Sequence, residues 1–141
     1  MDTYIQLDIV SAERALYSGK VKAVFVSGTH GELGIYPGHT PLLTTLRPGE
    51  VRSLLENDHQ DLFYISGGLL EVQPDVITVL ADTAIRAADI DEAAALEAQR
   101  RAEALLSERK GDFDYAVAAT ELAQAIAQLR ALRKVRKQSG V

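Results

Sequence analysis

Three groups of residues in this 141-residue chain have types and spacing worth testing against known chemistry. The first is the glycine-rich run Gly28-Thr29-His30-Gly31-Glu32-Leu33-Gly34. A phosphate-cradling loop must end in Gly-Lys-Ser/Thr, and a dinucleotide turn needs Gly-x-Gly; neither occurs here. The glycines therefore read as turn residues, because glycine reaches positive φ at no steric cost. The second group is Ser66-Gly67-Gly68. A nucleophile elbow places glycine two residues before its serine, and Tyr64 stands at that position. The third is His30, His39 and His59, which share no metal-ligand spacing. His30 and His59 are expected in exposed turns, and His39, inside Pro37-Gly38-His39-Thr40-Pro41, at solvent or an interface. With 0 Cys, thiol nucleophiles, disulfides and thiolate zinc sites are excluded. No acid, base and nucleophile converge. The chain is expected to be non-catalytic, without cofactor or metal.

The elements that would position these residues divide by composition. All four Pro and eight of the ten Gly precede residue 75, while fifteen of the twenty Ala follow Arg86. Gly and Pro punctuate strands and turns, whereas Ala favours helix. The expectation is a β domain over 1–86 and a helical arm over 87–141. Hydrophobic residues at 47% supply enough apolar surface for a folded core, so disorder is excluded as the main state. No apolar run of about 18 residues exists, so no membrane insertion is expected. The Met1-Asp2-Thr3-Tyr4 start lacks a basic n-region and an apolar h-region, so a cytoplasmic protein is expected.

Within the first part, Tyr4–Val10 alternates apolar and polar residues as a half-buried strand does. Lys20–Ser27 reads as one strand, apolar on both faces from Ala23 to Val26. Val51–Leu55 and Leu62–Ser66 flank a hairpin loop at Asn57–Gln60. Leu69–Gln73 and Val76–Leu80 flank a tight turn at Pro74-Asp75. Strands at this spacing predict an antiparallel β-sandwich or barrel. In the second part Asp89, with Glu92 three residues on, predicts a capped helix running to Leu106. The stretch 107–111 breaks it, and Asp112 or Asp114 caps a second helix reaching Lys137. Tyr115, Ala118, Leu122, Ala125, Leu129 and Leu132 repeat along that helix, with Ile126 widening the stripe. The short connection predicts an antiparallel helical hairpin with a mostly Ala, hence weakly held, apolar face.

Charge is segregated too. Residues 1–86 hold six Lys/Arg and eleven Asp/Glu; residues 87–121 hold four and nine. Residues 122–141 hold five bases and no acid: Arg130, Arg133, Lys134, Arg136 and Lys137. The total of −5 argues against nucleic acid as a partner, yet the last helix ends in a cationic tip.

Several segments together resemble one family. They are Leu7–Glu13, the Gly31-Glu-Leu-Gly-Ile-Tyr-Pro-Gly-His39 stretch with its flanks, Ser66–Pro74, Val79–Arg86 and Glu121–Arg130. In order and over essentially the whole chain, they resemble the epsilon-subunit family of bacterial F-type ATP synthases. The resemblance implies a sandwich followed by a helical hairpin. It also implies a central-stalk rotor subunit that couples proton flow to ATP synthesis and inhibits ATP hydrolysis through the hairpin. Implied partners are the gamma subunit, the c-subunit ring and, in the inhibited state, the catalytic beta and alpha subunits. The implied location is peripheral, at the cytoplasmic face of the bacterial inner membrane. Glu32 and His39 match the family turn that faces the c-ring. The cationic tip, Arg130 to Lys137, fits a contact with an acidic loop of the catalytic subunits or with gamma.

One departure stands out. Some members of that family bind ATP on the hairpin through Ile/Leu-Asp-x-x-Arg-Ala and arginines of the second helix. Here the first motif begins Ile90-Asp91, but Ala94 occupies the Arg position, and Gln124 and Gln128 replace the helix arginines. Arg is the side chain suited to bidentate phosphate contacts. Weak or no ATP binding is expected, with Arg100 and Arg101 the nearest remaining cations. Two other readings compete: an ATP-sensing module, which needs the missing arginines, and a β-sandwich adaptor unrelated to ATP synthase.

Overall fold

A computed structural model describes residues 3–108 and 112–138, with the side chains of 108, 112–114 and 138 outside the description. The chain divides into two compact units, Met1–Arg86 and Ala87–Val141.

The first unit holds nine strands: β1 (Ile5–Ser11), β2 (Ala15–Val21), β3 (Ala23–Gly28), β4 (Gly31–Ile35), β5 (Leu42–Leu54), β6 (Gln60–Ile65), β7 (Gly68–Val72), β8 (Val76–Ala81) and β9 (Ala84–Arg86). They run in the order β2-β1-β8-β7-β5-β3-β4, with β6 on β5 and β9 on β6. The strand that turns this ribbon into a sandwich is β5, 13 residues long. Its first half, Leu42–Leu46, pairs with β7, and its second half, Gly49–Leu54, pairs with β6. Arg47-Pro48 lies between the halves, and proline has no N–H to give a ladder, so pairing changes partner there. Ile5, Leu7 and Ile9 of β1, Leu70 and Val72 of β7, and Ile77 and Val79 of β8 meet Val24 and Val26 of β3, Val51 of β5 and Phe63 and Ile65 of β6 in one buried cluster. Each such side chain contributes roughly 1.5–3 kcal/mol by leaving water.

The expected hairpins form. β5 and β6 close with Leu54 opposite Gln60 and Asp58 at φ 64. β7 and β8 close around Pro74-Asp75, with the Gln73 N–H donating to the Val76 carbonyl at 2.8 Å. Two expectations change. Lys20–Ser27 is not one strand, because the chain turns at Lys22, whose ammonium pairs with Asp58 at 3.0 Å. The sandwich is also not wholly antiparallel, because β1 and β8 run parallel from Gln6↔Val76 to Ser11↔Ala81. Runs with mixed exposure, as in β2 and β4, carry no clean alternation and were not legible as strands.

The second unit opens with a 3-10 turn over Ala87–Asp89, followed by α1 (Glu92–Glu108) and α2 (Asp112–Gln138). The expected cap at Asp89 moves to Asp91, whose Oδ1 accepts the Ala94 N–H at 3.1 Å. Asp89 is taken up in the 3-10 turn, so Glu92 is the first helical residue rather than a capping-box partner. The expected caps at Asp112 and Asp114, and the break at Gly111, lie outside the described residues and side chains. Along α2 Ala118, Ala125, Leu129 and Leu132 are buried as the repeat requires, together with Ala127 and Ala131. Tyr115 and Ile126 are exposed instead.

Candidate functional site

The first candidate surface lies on the stretch 31–39. β3 and β4 are joined by Thr29-His30, with Gly28 opposite Gly31 and Ser27 opposite Glu32. That register lets the Ser27 hydroxyl donate to Glu32 Oε1 at 3.0 Å, while Arg47 Nη2 approaches the same oxygen at 3.4 Å. The Glu32 carboxylate remains 70% exposed and Arg47 52% exposed, so their attraction is screened by salt. Any outside cation that reaches Glu32 must share it with Arg47. His39 follows β4 in a tight loop. Gly38 takes φ +82 and donates its N–H to the Pro74 carbonyl at 2.9 Å, and the His39 N–H donates to the Tyr36 carbonyl at 3.2 Å. His39 Nδ1 lies 2.6 Å from the Thr40 carbonyl oxygen, which only accepts, so Nδ1 carries the proton and Nε2 is the ring's acceptor nitrogen. Glu32 and His39 thus share a segment but have separate partners. His30 and His59 are exposed in turns.

Ser66-Gly67-Gly68 is a structural corner. Ser66 Oγ accepts the Thr83 N–H at 2.9 Å and shares a 2.7 Å contact with the Thr83 hydroxyl. Gly68 sits at φ +152 with space for no side chain. Nearby, Tyr17 meets the Phe63 ring edge-on at 5.6 Å, and Arg86 lies 5.1 Å over the same ring. Burial pushes the Tyr17 phenol up, Asp61 adds to the rise, and Arg86 opposes it. A raised phenol stays protonated at neutral pH and offers no base. Among the described residues no cluster of His, Asp or Glu could hold a metal ion.

The second candidate surface is the open end of the hairpin, where α1 begins and α2 ends. Arg130, Arg133, Lys134, Arg136 and Lys137 are all exposed near the C-terminus of α2, where cations are favoured by the helix dipole. Arg136 reaches across to α1. Its Nη1 donates to Glu92 Oε1 at 3.1 Å and its Nη2 to Oε2. That fork holds the Glu92 carboxyl below its ordinary value and raises the Arg136 guanidinium further. Sequence reasoning missed this pair, since 44 residues separate its members.

The residues expected from the resemblance at an ATP motif are also placed. Ile90 is buried, Asp91 caps α1, and Ala94 supplies the capped N–H. Gln124 and Gln128 line a groove of about 240 Å³ with Ala98, Arg101, Glu121 and Ala125. Small-molecule pockets usually span roughly 300–1,000 Å³. This groove is smaller, and the Glu121 carboxylate opposes the Arg101 charge there. Arg100 is exposed.

Comparison with known proteins agrees with this architecture. Residues 4–87 match a family model described as the beta-sandwich domain of the ATP synthase Delta/Epsilon chain, and residues 88–133 match its long alpha-helix domain. The chain is 60% identical over 136 residues to the ATP synthase epsilon chain of Nitrosococcus oceani, covering 96% of this chain and 97% of that one. It is 56% identical over 137 residues to the ATP synthase epsilon chain of Legionella pneumophila, covering 97% and 98%. Among solved structures, a chain of the Euglena gracilis mitochondrial ATP synthase, in an OSCP/F1/c-ring assembly, superposes with a TM-score of 0.84 at 23% identity, over 94% of this chain and 83% of that one. A chain of the Tetrahymena thermophila mitochondrial ATP synthase central stalk and c-ring gives 0.60 at 12% identity, over 91% and 96%. Identities that low speak for the fold alone. The sandwich, the hairpin and the near full-length identity have one common account: this chain belongs to the ATP synthase delta/epsilon family, as an epsilon chain.

Proposed function

We propose that the chain is a central-stalk rotor subunit that docks on gamma and the c-subunit ring through its sandwich and restrains ATP hydrolysis through its hairpin. It would sit peripherally at the cytoplasmic face of a bacterial inner membrane and serve proton-coupled ATP synthesis as part of the complex. The observation that carries this reading is the 60% identity, over nearly the full length of both chains, with a protein named ATP synthase epsilon chain. Two features support the residue-level version. Glu32 and His39 lie on one segment, with a largely exposed carboxylate and one imidazole nitrogen directed away from its internal bond. Such groups fix register against polar loops of a ring more than they add affinity. The five-base tip is exposed and suits an acidic loop of the catalytic subunits or gamma. Moving the hairpin almost wholly from one state to another takes about 5.5 kcal/mol of differential binding. Contacts with gamma and the catalytic subunits are the source this reading requires.

The test is ATP hydrolysis by the assembled synthase. Neutralising Arg130, Arg133, Lys134, Arg136 and Lys137 together should raise hydrolysis at low salt, with a smaller increase at high salt, where screening already weakens the contact. Truncation after Arg86 should raise it at least as much. Unchanged hydrolysis in both variants at both salt concentrations refutes the inhibitory role.

A further inference from the structure

The antiparallel hairpin places the first turn of α1 beside the last turn of α2. Glu92 is the first residue of α1, and Arg136 lies two residues before the end of α2. The N-terminus of α1 favours an anion and the C-terminus of α2 favours a cation, so each end selects the charge found there. The guanidinium fork then joins both carboxylate oxygens. Because 44 residues separate the partners along the chain, this contact exists only while the start of α1 and the end of α2 are held together.

The rest of the hairpin is poorly equipped to hold itself shut. Its buried positions are mostly alanine (Ala95, Ala102, Ala118, Ala125, Ala127 and Ala131), with Leu129 and Leu132 the larger buried side chains of α2, while Leu96, Leu105 and Ile126 are exposed. Alanine contacts remove little apolar area from water. A two-pronged ion pair at the open end therefore has leverage that it would lack over a core built mainly of leucine. Its side chains are 42% and 49% exposed, so salt reaches it.

We propose that the Glu92–Arg136 pair is a salt-sensitive latch that keeps the hairpin closed, with Glu92 acting as an internal competitor against outside carboxylates for Arg136. Its regulatory consequence rests on the hairpin reading given above; the latch itself does not. Opening the hairpin removes Glu92 from Arg136 and adds that guanidinium to what the tip offers an acidic protein surface. The device makes release and docking a single exchange of carboxylates.

The chain has no cysteine, so Glu97→Cys with Ala123→Cys gives two unique spin-label sites on exposed positions of α1 and α2. Electron–electron distances in the full-length chain then read the open fraction directly. At low salt the labelled parent should show mainly a short distance, and Glu92→Gln should raise the open fraction at least threefold. About 1 M NaCl, where the Debye length is near 3 Å, should open the parent toward the Glu92→Gln level and leave Glu92→Gln itself unchanged. Glu92→Arg and Arg136→Glu should each open the hairpin, and the double reversal should be more closed than either. Superimposable distances for the parent and Glu92→Gln, or a double reversal as open as the single variants, overturns the latch. The same Glu92→Gln change in the assembled synthase should lower ATP hydrolysis at least twofold. An opened hairpin with unaltered hydrolysis keeps the latch and removes the inhibitory role of the arm.

Discussion

Gly68→Ala is the substitution whose cost the geometry fixes most tightly. Gly68 opens β7 opposite Ala81 of β8, at φ +152. A Cβ there would stand 2.1 Å from the Leu80 carbonyl oxygen, 2.9 Å from Ala81 Cα and 3.0 Å from the Leu80 carbonyl carbon. All three are backbone atoms of a paired strand, so no side chain can swing aside. Gly31→Ala supplies the control. Its φ is +133, yet nothing lies within 4 Å of the added methyl. Backbone strain alone costs about 1–3 kcal/mol in such regions. Gly68→Ala adds the parting of the β7–β8 ladder at its first pair, with one or two hydrogen bonds lost at roughly 1 kcal/mol each and buried polar groups left bare at about 1–3 kcal/mol. The expected penalties are about 3–8 kcal/mol for Gly68→Ala against about 1–3 for Gly31→Ala. For a unit of this size each kcal/mol moves Tm by roughly 4–8 °C. Calorimetry of the full chain should therefore show the Gly68→Ala sandwich melting about 10 °C or more below Gly31→Ala. Equal melting temperatures for the two variants would refute the claim that close backbone approach, rather than φ, demands glycine at 68.

Two further outcomes follow from the hairpin. The Arg136 fork holds the Glu92 carboxyl below its ordinary value of 4.5, so its stabilising effect is complete above that value and is lost as pH falls through the lowered one. Helicity lost on acidification below about pH 4.5 should thus be smaller in Glu92→Gln than in the parent, by circular dichroism at low salt. Identical acid profiles would contradict the pairing. Isothermal titration of the full chain with ATP should give no micromolar binding, because the groove offers Gln124 and Gln128 rather than arginine, and Glu121 lines it beside Arg101. A micromolar Kd would show that Arg101 and its neighbours suffice.

Much of the fold could be read locally. The β7–β8 hairpin is legible because Pro74-Asp75 separates two clean apolar runs. The hairpin helices are legible because Ala-rich, Gly-poor sequence has little alternative. β4 hid inside a run whose glycines pointed to a turn, and β2 lacked alternation because both its faces are partly exposed. Of the candidate residues, Glu32 and His39 were singled out by family resemblance, but their internal partners were not legible. Arg47 reaches Glu32 from a strand 15 residues away, and the Pro74 carbonyl reaches the Gly38 N–H from another hairpin.

What the amino-acid sequence alone determined is whatever depends on neighbours along the chain. That includes strands before helices, the absence of thiol chemistry, the cationic end of α2 and the absence of arginine at positions 94, 124 and 128. Tertiary structure decided the pairings between distant segments. It set β1 parallel to β8, moved the cap from Asp89 to Asp91, and brought Glu92 to Arg136. The physical reason is the same in each case. Propensity and periodicity act over a few residues, whereas a strand's partner or a carboxylate's partner is chosen by which surfaces the closed fold brings within a few ångströms.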